Sequence, residues 1–127
     1  MNYHVSLINY KDDKYYAKVV DAVEELLSSG REFSVLDVFL KVGVLSPQRL
    51  SLWQAGKADY LERLVECNLS KANRILRIVG FHAHDLNLGK KVIFTQVNGK
   101  KLRFTKTGIK KLEERYASNY YVIGKKR

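Results

Sequence analysis

The chain has 127 residues, with one proline, one cysteine and eight glycines, and 46% of it is hydrophobic against 28% charged. That is the length of one compact domain with enough apolar mass to offset ordering entropy, which excludes wholesale disorder and collagenous or low-complexity readings. No stretch reaches the roughly 18 uncharged apolar residues of a spanning helix, the first residues lack a basic stretch leading into an apolar run, and Cys67 has no cysteine partner in the chain; the expectation is a cytoplasmic protein with no membrane partner, disulfide or multi-cysteine zinc site.

Charge is placed unevenly. Lys and Arg number 23 against 13 Asp and Glu, a net +10. Residues 1–85 hold 11 of each sign, so the whole excess falls after them, where 12 basic residues face only Glu113 and Glu114. Such a block of positive potential attracts polyanions.

In chain order, Asp12 or Asp13 can cap a first helix whose stripe is Tyr15, Tyr16, Val19, Val20, Val23, Leu26 and Leu27, closed by Ser28-Ser29-Gly30. Ser34 precedes a short second helix over 35–42 that ends at Gly43. Ser46 is a good N-cap with Pro47 at the first helical position, which predicts a third helix from Pro47 to about Ala55, stopped by Gly56. From about Ala58 to Val79 the spacing is helical again, as one helix or two with a restart at Ser70, and Gly80 is expected to end it.

Downstream the period becomes two. Runs at 92–97 and 101–105 flank Asn98-Gly99, a strong signal for a type I′ hairpin. A two-residue turn pairs Val97 with Lys100, Gln96 with Lys101 and Ile93 with Phe104. Ile93, Thr95, Val97, Leu102 and Phe104 then share one face, and Phe94, Gln96, Lys101 and Arg103 the other. A final helix from Thr107 or Gly108 to about Tyr116 turns Ile109, Leu112 and Tyr116 inward. The fold class expected is α+β, mostly helical, in one domain over 1–123, with 124–127 as a loose basic tail.

The segment 35–57, VLDVFLKVGVLSPQRLSLWQAGK, resembles the helix-turn-helix of bacterial DNA-binding proteins. Gly43 would make the turn, Ser46 cap the second helix, and Leu50 and Trp53 lock the pair. Two features depart from that pattern: the turn is one residue longer, and Phe39 stands where alanine is common. A helix pair followed by a basic hairpin is similar to the winged-helix arrangement. The resemblance implies that the outer face of the second helix enters the major groove, with Gln48, Arg49, Ser51 and Gln54 reading bases and Lys57 on a phosphate. It also implies that Lys100, Lys101 and Arg103 lie along the backbone, with Lys90, Lys91, Lys106, Lys110 and Lys111 extending the positive zone. Lys71, Arg74 and Arg77, every third residue, form a secondary basic row.

For chemistry, the one candidate is Phe81-His82-Ala83-His84-Asp85. Extended, it would place His82 and His84 on one side to bind a metal with Asp85 and activate water. Helical, the two imidazoles part and the site vanishes. No phosphate loop, nucleophile elbow or paired-carboxylate site stands out, so the expectation is a protein without cofactor or catalysis that prefers certain DNA sequences, as a transcriptional or replication accessory of bacterial, phage or plasmid origin. The alternatives are a small RNA-binding or RNA-cleaving protein using the same basic surface with His82, His84 or Tyr120, and an interaction module or homodimer joined through Tyr3, Tyr10, Tyr15, Tyr16, Tyr116, Tyr120 and Tyr121.

Overall fold

Capping side chains written into the sequence set the starts of three of the five described α-helices. The computed structural model describes residues 9–123, so the 124–127 tail and Tyr3 lie outside the described residues. After a 3₁₀ turn at Tyr10–Asp12, helix α1 spans Tyr16–Ser29 and buries Val19, Ala22 and Val23. Of the two expected caps it is Asp13 that bonds at the helix start, accepting from the Tyr15 amide at 2.9 Å. Strand β1 (Glu32–Ser34) leads into helix α2 (Val35–Val42). Ser34 Oγ accepts from the Asp37 amide and the Asp37 carboxylate accepts from the Ser34 amide, a complete capping box. Gly43, at φ +90°, takes the left-handed turn that ends α2. Helix α3 (Pro47–Gln54) starts as its Ser-Pro predicts, with Ser46 Oγ accepting from the Arg49 amide.

The next segment departs from expectation. No helix runs from Ala58; a 3₁₀ turn at Leu61–Arg63 is followed by helix α4 (Leu69–Asp85), capped by Asn68 rather than Ser70. Helix α4 also continues through Gly80. A glycine costs about 1 kcal/mol inside a helix, less than the packing gained from Ile78 and Val79 before it and His82 and Ala83 after it.

Strands β2 (Gly89–Val92), β3 (Gln96–Val97) and β4 (Lys100–Lys101), helix α5 (Lys110–Tyr116) and strand β5 (Ser118–Tyr121) complete the chain. The protein is thus α+β and mostly helical, with helices α2 and α3 followed by the hairpin and a short final helix and strand. The hairpin turn is as expected, with Asn98 at φ +53° and Gly99 at φ +77°, and so is its register, Gln96 opposite Lys101 and Val97 opposite Lys100. Its length is not. The run at 92–97 divides, because β2 pairs antiparallel with β5 instead, Lys90 opposite Tyr120 and Val92 opposite Ser118, and the Ile93 amide donates to the Ala117 carbonyl. Ile93 is therefore exposed and Phe94 half-buried, the reverse of the two faces expected, while Phe104 is buried as expected. The sheet runs β1-β5-β2, and its central strand, β5, was not legible in the sequence. Helix α5 begins later than predicted because Gly108, at φ +70°, cannot continue a helix; Ile109, expected inward, is 57% exposed.

Helix α1 packs on both α2 and α4. An aromatic column ties the remaining elements to them: Trp53 of α3 lies on Phe104 at 4.8 Å between ring centroids, Phe104 stacks on Tyr116 of α5 at 5.7 Å, and Tyr116 meets Phe39 of α2 at 5.8 Å.

Candidate nucleic-acid interface

Two segments fifty residues apart in sequence are locked together. The indole Nε1 of Trp53 donates to the Arg103 carbonyl at 2.7 Å, and the same carbonyl accepts from the Leu61 amide. Gly56, just past α3, lies under Val97 of the hairpin, so closely that a Cβ there would sit 3.6 Å from Val97 Cγ1. Helix α3 and the hairpin are thereby held as neighbours by a partly buried hydrogen bond and a ring contact. The hairpin's return is clamped by Glu113, whose buried carboxylate accepts from the Phe104 amide (3.0 Å), the Thr105 amide (2.8 Å) and Thr105 Oγ1 (2.6 Å).

On this unit Gln48, Ser51 and Gln54 are exposed along α3, together with Leu52, an apolar residue on the outer face that periodicity did not single out. Arg49 is also exposed, but its guanidinium is tied back, to the Glu66 carboxylate at 3.0 Å and the Leu64 carbonyl at 3.4 Å. Exposed pairs of this kind are worth about 0–1 kcal/mol, so a better partner can take the side chain away. Lys57, Lys100, Lys101 and Lys106 have no carboxylate within ion-pair distance among the described residues. Every Asp and Glu of the chain lies between positions 12 and 114, within the described span. Lys101 Nζ stands 4.1 Å from the centroid of the Phe94 ring, which steadies it.

The other predicted phosphate contacts have local partners of their own. Arg103 is exposed but folds back along its own loop, donating to the Thr105 and Lys106 carbonyls at 3.1 and 2.5 Å. Lys90 and Lys91 belong to β2 in the three-stranded sheet, where Lys91 pairs with Glu32 at 3.3 Å. Lys110 faces Glu114 at 3.8 Å and Lys111 is exposed on α5. The secondary row on α4 also disperses. Arg74 pairs with the fully buried Asp13 carboxylate at 2.8 Å, Lys71 lies over the Tyr15 ring, and Arg77 faces a groove between α4 and the sheet.

The histidine segment is helical, so His82 and His84 diverge. His82 is buried beside Tyr16 with its Nε2 unpartnered, and burial pushes its imidazole below the usual range. His84 is exposed on α4, and the Asp85 carboxylate accepts from the buried Tyr10 hydroxyl. No group of three His, Cys, Asp or Glu side chains among the described residues is arranged to hold a metal ion. Cys67 is half-buried, and burial raises its thiol. Of the described tyrosines in that set, Tyr10, Tyr116 and Tyr120 are buried, and Tyr15, Tyr16 and Tyr121 are half-buried.

No helix among the described residues is long and apolar enough to cross a membrane. Comparison with known proteins found no matching family model, no similar curated protein and no similar solved structure.

Proposed function

We propose that the protein binds duplex DNA in the cytoplasm with a sequence preference, through the surface formed by α3 and the hairpin. The observation that carries this reading is the Trp53 hydrogen bond to the Arg103 carbonyl, which sets an exposed polar helix beside a basic hairpin on a rigid mount. Gln48, Ser51 and Gln54 offer donors and acceptors of the kind that read base edges in the major groove, and Arg49 joins them on exchanging Glu66 for a guanine. Lys57, Lys100, Lys101 and Lys106 supply the sequence-independent phosphate attraction. The division of labour matches the winged-helix resemblance of the sequence, and a regulatory or replication accessory role suits a protein of this kind.

Selection from a random duplex library tests the reading, and an enriched sequence of a few base pairs is the expected result. On that sequence Arg49→Ala should cost about 1–3 kcal/mol and relax one position, while Lys101→Ala should weaken cognate and random duplexes alike. Enrichment of no sequence, or of single-stranded RNA over duplex DNA in competition, would overturn it.

A further inference from the structure

The groove between α4 and the sheet has a cavity volume of about 470 Å³, within the range of small-molecule sites. Arg77 from α4, Lys90 from β2 and Arg115 from α5 converge on it, and the Tyr120 and Ser118 side chains of β5 lie among them. Among the described residues none of the three cations has a carboxylate within ion-pair distance, and no acidic residue lines the groove. Burial and the neighbouring Arg77 push the Arg115 guanidinium below its usual range, although an arginine stays charged at neutral pH. Two guanidiniums that line one partly desolvated groove repel, and a bound anion relieves that repulsion while gaining charge-assisted hydrogen bonds. Leu76, Phe81 and Leu88 supply apolar lining.

Gly80 is a second, independent sign. It sits within α4 on the groove wall, where glycine weakens a helix relative to alanine. A Cβ there would meet only the Tyr120 hydroxyl, at an ordinary 3.7 Å, so the packing does not require glycine. What the missing side chain provides is open space in the groove.

We propose that this groove binds a small phosphomonoester on a flat ring, of the mononucleotide class, its phosphate held by Arg77, Lys90 and Arg115 and its ring laid on Leu76, Phe81 and Leu88. The site stands apart from the α3 and hairpin surface, and its occupation does not depend on DNA binding.

Calorimetric titration of the full chain with adenosine monophosphate, with adenosine and inorganic phosphate as separate arms, tests it. The nucleotide should bind with a submillimolar Kd, and each fragment at least about tenfold more weakly. The Arg77→Ala/Arg115→Ala variant should lose at least about tenfold, and Gly80→Leu, which keeps every charge and fills the groove, should lose as much. Thermal melting offers a second readout, in which the nucleotide raises the parent's Tm and leaves both variants unmoved. Lys100→Ala/Lys101→Ala should bind the nucleotide as the parent does, even as its DNA affinity falls. No heat and no Tm shift at about 5 mM nucleotide, phosphate binding as tightly as the nucleotide, or loss of DNA affinity in the Arg77/Arg115 variant without nucleotide binding by the parent would overturn the proposal, the last by assigning the groove to a nucleic-acid backbone.

Discussion

His82 shows how burial redirects a residue that looks chemical in sequence. Its imidazole is enclosed by α4 and the Tyr16 ring; burial lowers its proton affinity, Glu24 and Asp85 oppose that shift, and Lys11 adds to it. A depressed native pKa means that the neutral form is the folded form. His82 then contributes stability that is fully present above its unfolded pKa of about 6.5 and is lost as pH falls below it. Urea unfolding between about pH 7.5 and pH 5 should therefore show stability falling on acidification, with a shallower fall in His82→Leu. An unchanged slope in that variant would place the acid sensitivity elsewhere. The signal in the sequence was ambiguous for a physical reason: the spacing of His82 and His84 marks a metal pair on a strand and a divergent pair on a helix, so the outcome rested on whether Gly80 stops α4.

Among the elements, helices were more legible than strands. Ser34, Gly43, Ser46 and Pro47 act on their immediate neighbours, so α2 and α3 fall where these residues place them. Strands β1 and β5 hold three and four residues, too short for a period of two to emerge, and their pairing joins residues more than eighty positions apart. Because β5 leaves no pattern in the sequence, neither does its competition for residues 89–93, and the period of two alone predicts too long a hairpin. The candidate DNA surface was legible as two pieces, α3 and the hairpin tip. What the sequence could not convey was that Arg103 folds back on the Thr105 and Lys106 carbonyls, that Arg49 meets Glu66, or that Arg77 and Arg115 share a groove, since each depends on the folded arrangement. The clamp that shapes the hairpin's return is testable. Glu113→Ala leaves the buried Phe104 and Thr105 amides without their acceptor, which should cost about 3 kcal/mol and lower Tm by about 10 °C. A shift under about 2 °C would show that the hairpin is held by the aromatic column alone.

For the whole molecule, the cations behind the net +10 stand in different surroundings. Some cations are spent on structure, as in Arg74 with Asp13 and Arg103 with its own loop. Others gather around Arg77 and Arg115, and a third set, Lys57, Lys100, Lys101 and Lys106, stands open on the α3 and hairpin surface. Phosphate contacts are counted by the salt dependence of binding, because each one releases condensed counterions in proportion to the charge it neutralises. The central claim is accordingly tested by the affinity for duplex DNA measured across salt concentrations, for the parent and for Lys100→Ala/Lys101→Ala. Four contacts predict that log K falls against log salt with a slope of about −4, and the double variant should reduce that slope by about two. A parent slope shallower than about −2, or an identical slope in the variant, would contradict the assignment of this surface to DNA.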